Sequence, residues 1–274
     1  MRYLCNLAFL FLVLIGVAIP RAAAAAWTPF AGFDWGEKVP IVRHGFTKER
    51  VVALTFDDGP DPRFTPAVLA VLHRYGVHVT FFVVGSNVKR WPDLLRAEVA
   101  AGHEIGNHTY SHPELYKLPR DKVEKEIADG DAMVAEVTGV VPHFFRPPYE
   151  RLSLAVFQAA WVCGKQIVLA GTALEHHEAR TPQEMVARVL ARIRPGTIIL
   201  AHDGRLDRRK TVAALPLLLA ELRARGYRVV TLGELLGEKE TRPLSPPRAY
   251  PSVATHGEGG LSAPLPRAGK TEKG

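Results

Sequence analysis

The chain has 274 residues, 47% of them hydrophobic and 23% charged, with 35 Lys and Arg against 28 Asp and Glu for a formal net charge of +7. That composition excludes a collagen, a disordered chain and a polytopic membrane protein, and two cysteines exclude a disulfide scaffold. The length suits one large domain or two small ones. The basic excess is too mild and dispersed to designate nucleic acid as partner, and suits work near an anionic surface such as a cell wall.

Residues 1–26 read as a signal peptide: Arg2 is a positive start, 3–19 is nearly all apolar, Pro20-Arg21 breaks the run, and 22–26 offers small residues for cleavage. The alternative is an uncleaved anchor, but the run falls short of the ~20 residues of a spanning helix. Export is therefore expected, to the cell wall, the periplasm or the medium, with membrane contact only through this segment. Cleavage removes Arg2 and Arg21 and no acid, which lowers the charge from +7 to +5, and leaves Cys163 without a cysteine partner.

Residues 27–49 form a lead-in containing Trp27, Phe30, Phe33 and Trp35. The body, 50–236, alternates short β-branched runs with helical stretches. Strands are expected at 51–56, 79–84, 103–106, 144–145, 166–170, 197–201 and 227–231. Helices are expected at 65–75, where Val68, Leu69, Val71 and Leu72 make an apolar stripe, at 92–101 with proline in the first turn, and at 120–138, 154–162, 182–193 and 212–225. Residues 237–274 are rich in proline and glycine without apolar periodicity and read as a disordered tail. Strand–helix alternation predicts an α/β fold, a distorted (β/α) barrel of seven or eight mainly parallel strands. An open doubly wound sheet is the runner-up, weakened by the lack of a glycine-rich dinucleotide loop after the first strand.

The unusual polar residues fall at the expected strand ends, where barrel active sites gather. Asp57-Asp58-Gly59-Pro60 makes a loop presenting two acids, or a turn that caps the next helix. His108 and His112, four apart, meet on one side of a helical turn or tight loop. With one of the aspartates they make a three-ligand set with an open position, the pattern of a catalytic rather than a structural metal. Arg146-Pro147-Pro148-Tyr149 offers a cation to orient an acid on a rigid extended backbone. His202, at another strand end, is a candidate general acid. Each of the last two motifs, alone, reads better as a surface feature, a rigid turn and a loop histidine, than as a site.

Taken in order, TFDDGP (55–60), HTYSH (108–112), RPPY (146–149) and LAHD (200–203), supported by Thr80-Phe81-Phe82 and 102–107, resemble the polysaccharide deacetylases of carbohydrate esterase family four, the nodulation-protein-B homology domain. The resemblance covers about 50–236. It implies a distorted barrel, a divalent metal, most often Zn2+ with Co2+ or another ion as alternatives, and removal of acetyl groups from sugars. It also implies site roles: Asp58, His108 and His112 as metal ligands, Asp57 as general base held by Arg146, the Tyr149 N–H as oxyanion donor, and His202 as general acid. Leu200 and Pro148 would line the substrate pocket.

The chain departs from the pattern twice. Glu150 stands where the family has glycine, at some cost if the backbone there needs a positive φ. Ala173 falls where the family carries an aspartate that tunes the histidine, with His176 or His177 near the family's tryptophan and Glu175 as a substitute carboxylate from a shifted loop. Two functions follow: an exported, metal-dependent deacetylase of an N-acetylglucosamine polymer such as peptidoglycan, working as a monomer, or a metal-binding wall-glycan relative with impaired turnover.

Overall fold

The computed structural model describes residues 41–237. The expected signal segment, most of the lead-in and the tail from 238 lie outside the described residues.

Strand β2 (Val51–Asp57) is buried along its whole length. Its alternation sorts side chains between two cores. Val52, Leu54 and Phe56 point to a helix-covered cluster with Val68, Leu72, Leu215 and Leu218, whereas Val51 and Ala53 point to an inner cluster with Phe82, Phe144, Val168 and Ile198. A strand buried on both faces is typical of parallel sheets whose crossover helices cover one side. Around β2 the other strands are β1 (Ile41–Val42), β3 (Thr80–Val83), β4 (Glu104–Asn107), β5 (Phe144–Phe145), β6 (Gln166–Val168), β7 (Thr172–Ala173), β8 (Ile198–His202) and β9 (Arg228–Val230). They lie in the order β1-β6-β5-β4-β3-β2-β8-β7, with β9 paired to the start of β2. All these ladders are parallel. A bridge from His44 to Thr197, and Gly45 N–H donating to Gly196 O at 2.8 Å, tie the chain beyond edge strand β1 to the start of β8. The result is the expected distorted (β/α) barrel, with eight strands in one path.

The helices are α1 (Thr65–Tyr75), α2 (Gly85–Arg90), α3 (Pro92–Ala100), α4 (Arg120–Thr138), α5 (Leu154–Val162), α6 (Pro182–Leu190), α7 (Arg209–Ala224) and α8 (Leu232–Leu236). Their ends follow local chemistry. Thr181 and Glu184 form a capping box that starts α6, and Gly76 (φ 63) ends α1 in the left-handed region. Four elements were not anticipated. β1 and β7 have two residues each, too few for any periodicity. α2, with sequence GSNVKR, has no apolar stripe; its first amides instead donate to Thr109 O at 2.9 Å and Tyr110 O at 2.8 Å. α8 was hidden because it has only five residues between β9 and Gly237, too few to show a helical period.

One core position breaks the apolar pattern. Glu98, on α3, is fully buried, and neither carboxylate oxygen meets a hydrogen-bond donor among the described residues. Burial, and then the nearby charge of Asp203, push its carboxyl well above the usual range. The fold therefore holds a proton that the unfolded chain releases above about pH 4.3. This contribution to stability is full below that pH and is lost as pH rises through the raised folded-state value. Glu98→Met should stabilise the protein by about 1–3 kcal/mol at neutral pH. Thermal melts should show a gain in Tm over the wild type that is larger at pH 8 than at pH 5.

Candidate active site

Parallel register brings the polar strand ends to one rim. Asp57 is level with His202 on β8 and with Phe82 on β3. Asn107, the residue before His108, pairs with Val83 and Phe145, the residue before Arg146. Four motifs spread over nearly 150 residues thus converge, because each follows the C-terminal end of a neighbouring strand.

Asp57 and Thr55 face inward with Val51 and Ala53. Between them lies Arg146, which is fully buried. Its Nη1 donates to Asp57 Oδ1 at 2.7 Å and to Thr55 Oγ1 at 2.8 Å, its Nε donates to Val168 O at 3.3 Å, and its guanidinium carbon sits 4.2 Å over the Phe82 ring. The other Asp57 oxygen, Oδ2, lies 3.8 Å from His108 Nε2.

His108 and His112 lie on a tight loop, not a helical turn. Asn107 shapes it: its Oδ1 accepts from Thr109 N–H at 2.6 Å, and its Nδ2 donates to Ile127 O and Asp131 Oδ1 at 2.8 and 2.7 Å. Gly130 on α4 makes room, since a Cβ there would sit 2.9 Å from Asn107 Oδ1. Thr109 Oγ1 accepts from His112 N–H at 3.0 Å. The two imidazoles meet edge to face, 4.9 Å between centroids.

Asp58, His108 and His112 offer ligand atoms within 4.8 Å of one another. Asp58 Oδ1 is buried without a hydrogen-bond donor, 3.1 Å from His112 Nε2 and 3.7 Å from His108 Nε2. The other Asp58 oxygen accepts from buried Arg208 Nη2 at 3.2 Å. His108 Nδ1 lies 2.7 Å from the Arg146 carbonyl, which fixes its proton on Nδ1 and leaves the Nε2 lone pair toward Asp58. An orphaned carboxylate oxygen facing two imidazole nitrogens fits a divalent cation. The Asp58 loop is pressed against the next strand end: a Cβ on Gly204 would lie 2.1 Å from Asp58 O, and one on Gly59 2.4 Å from Asp203 Oδ1. Asp203 is itself fully buried, and burial pushes its carboxyl up to about 7.

His202 is held by Glu175. The His202 N–H donates to Glu175 Oε1 at 3.0 Å, its Nδ1 lies 3.1 Å from Oε2, and Thr211 Oγ1 donates to Oε1 at 2.7 Å. Burial opposes the charge on both groups, yet the hydrogen bond and ion pair prevail. His202 is held above its usual 6.5, with Asp57 adding to the lift, and Glu175 is held below the usual carboxylate range. The substitute carboxylate is therefore Glu175. Ala173 lies on β7 beside Leu200, and His176 and His177 stack on each other at 4.4 Å.

Leu200, buried, shares the inward parity of Ile198 and His202. Pro148 is buried in the turn Pro148–Glu150, and Tyr149 is half exposed with its ring 5.0 Å from that of His112. Both Tyr149 (φ 60) and Glu150 (φ 53) take the left-handed region. The expected cost at Glu150, about 1 kcal/mol, is offset by its Oε1 accepting the Ala170 N–H at 2.5 Å. This clasp ties the Tyr149 turn to the segment between β6 and β7. Glu150→Gln, which keeps an acceptor, should retain activity. Glu150→Ala should lower kcat about tenfold, the loss of one hydrogen bond to a charged group; steady-state kinetics with a parallel thermal melt separates this from unfolding.

Thr55, Asn107 and Arg208 escaped the sequence reading. Thr55 had a signal, since it shares the inward parity of Asp57 two residues on. Arg208 had none, because it follows an irregular loop.

A parallel barrel whose strand ends gather a buried Asp–Arg pair, an Asp–His–His cluster and a Glu-backed histidine has the groups a hydrolase site needs. Residues 44–168 match the family model described as polysaccharide deacetylase. A peptidoglycan-N-acetylglucosamine deacetylase of Bacillus cereus is 42% identical over 193 residues, 70% of this chain and 90% of that protein. A crystal structure of a peptidoglycan N-acetylglucosamine deacetylase with a bound N-hydroxybenzamide derivative superposes with a TM-score of 0.72 at 33% identity, over 79% of this chain and all of that one. A family 4 acetyl xylan esterase from Clostridium thermocellum, solved with a cobalt ion, superposes with a TM-score of 0.64 at 39% identity, over 68% of this chain and 90% of that one. The chain belongs to the polysaccharide deacetylase family and is a hydrolase acting on acetylated glycans.

Proposed function

We propose that the protein is an exported, metal-dependent deacetylase that hydrolyses the N-acetyl groups of an N-acetylglucosamine polymer, peptidoglycan first. The observation that carries this reading is the placement of two proton carriers side by side on adjacent strand ends of one rim: Asp57, fixed by Arg146, and His202, fixed by Glu175. Asp58, His108 and His112 would hold the ion, Zn2+ by their chemistry, with Co2+ as an alternative. Bound there, it supplies Lewis-acid polarisation of the acetyl carbonyl and a lowered pKa for water.

This chain's residues supply the rest. Asp57 Oδ2, free of Arg146, takes the proton of the attacking water. The Tyr149 N–H donates to the carbonyl oxygen as negative charge develops on it. His202 Nε2 donates a proton to the departing amine, which cannot leave as an anion. Glu175 keeps Nδ1 protonated and favours the imidazolium required for that step. Leu200, with Pro148, packs against the acetyl methyl. The impaired-turnover alternative rested on Ala173, and the Glu175–His202 pair removes its ground. The expected signal segment and the sequence match to peptidoglycan deacetylases favour a wall substrate. The test is acetate release by the purified protein from N-acetylglucosamine oligomers and peptidoglycan strands, after chelation and after adding back zinc. Absence of release from every acetylated glycan would refute the reading.

A further inference from the structure

Six non-glycine residues among those described take a positive φ: Asp58, Thr109, His112, Tyr149, Glu150 and Arg205. All lie on the loops around the site, where backbone strain concentrates when function requires it. Five have a reason above: two members of the candidate metal cluster, the threonine that accepts the His112 N–H, the Tyr149 turn, and the Glu150 clasp. Arg205 (φ 64) has none.

Its position is informative. The Arg205 guanidinium contacts the His112 ring and stands 6.0 Å from the centroid of the Tyr149 ring, at the mouth of the site. Its side chain is 38% exposed. The nearest carboxylate oxygen is Asp58 Oδ1 at 4.0 Å, and no carboxylate accepts a hydrogen bond from it among the described residues. Neighbouring rim cations are already neutralised: Arg63 pairs with Asp61 at 2.6 Å, and Arg209 with Asp207 at 2.5 Å. The aromatic face beside it, Tyr149, is 53% exposed, and Leu206, next in the chain, is 65% exposed. A half-exposed ring is a stacking surface for a sugar, and a partly exposed guanidinium beside it that hydrogen-bonds no carboxylate among the described residues is a fork for a planar anion.

We propose that Arg205 and Tyr149 form a subsite for a carboxylate carried by the glycan next to the sugar being deacetylated, so that the preferred substrate is an anionic acetylated glycan rather than a neutral one. The inference rests on the glycan-deacetylase reading and adds the charge of the substrate to it. In a wall glycan the carboxylate comes either from the lactyl ether of N-acetylmuramic acid or from a stem peptide.

Acetate release would be measured on three substrates: the neutral N-acetylglucosamine tetramer, peptide-free strands of alternating N-acetylglucosamine and N-acetylmuramic acid, and the same strands with stem peptides. The wild type should favour at least one anionic strand, by roughly tenfold or more in kcat/KM, the strength of one charge-assisted hydrogen-bond pair. Raising salt from about 0.05 to about 0.5 M should narrow that preference. Preference confined to peptide-free strands identifies the lactyl carboxylate, and preference confined to peptide-bearing strands identifies the stem. Arg205→Gln should abolish the preference, chiefly through KM, whereas Arg209→Gln should keep it. Should Arg205→Gln fold poorly, Arg205→Gly, which suits the positive φ, replaces it. Equal wild-type efficiency on neutral and anionic substrates, or an equal loss on all three in Arg205→Gln, overturns the inference. A wild type inactive on every substrate refutes instead the deacetylase reading beneath it.

Discussion

Asp57→Asn should lower kcat by a factor of about 10²–10⁴, the range for loss of a general base, while elemental analysis still finds the metal. His108→Ala or His112→Ala should lose metal and activity together. The difference follows from geometry. Asp57 Oδ1 is committed to Arg146 and its Oδ2 stands 3.8 Å from His108, whereas the unpartnered oxygen that faces both imidazoles belongs to Asp58. Asp57→Asn carries a second consequence. Arg146 is fully buried, and its charge loses its carboxylate partner, a change that costs about 3–5 kcal/mol in buried pairs. A lowered Tm is therefore expected beside the lost turnover, and kcat must be expressed per folded molecule. Metal loss in Asp57→Asn with retention in His108→Ala would reverse the two assignments.

Glu175→Gln should cripple turnover and move the alkaline limb of the pH–kcat profile to lower pH. The general acid must carry its proton at the moment the amine leaves. Glu175 lifts His202 above 6.5 by its hydrogen bond and its charge. Without that charge, burial and Arg208 act to lower it, so the imidazolium persists only in more acidic solution. Glutamine has one acceptor oxygen where the two oxygens of Glu175 serve three donors, so if that oxygen stays on Nδ1–H its NH2 faces the His202 N–H; a parallel thermal melt separates this loss from the loss of charge. Ala173→Asp should leave the limb where it is, because His202 Nδ1 has one hydrogen and Glu175 Oε2 already accepts it. A profile unmoved in Glu175→Gln, or moved upward in Ala173→Asp, would show that the tuning charge lies elsewhere.

The sequence by itself determined most of the frame. The apolar stripe of 65–75 and the long amphipathic run 120–138 were legible because a helix face has a period that a dozen residues can display. The chemical inventory was legible too: TFDDGP, HTYSH, RPPY and LAHD each place charged or ionisable side chains, poor material for an apolar core, at the ends of runs that fill one. What local sequence could not carry were relations between segments far apart. Two-residue β1 and β7 exist only because neighbouring strands offer them a ladder. The polar α2 forms because Thr109 and Tyr110 carbonyls accept its first amides. The carboxylate behind His202 was ambiguous between positions 173 and 175, since a shift of two residues preserves the parity of a strand and leaves no trace in its pattern. Only the tertiary structure, by setting Ala173 level with Leu200 and extending the chain to Glu175 beneath the His202 amide, decided which side chain meets the imidazole.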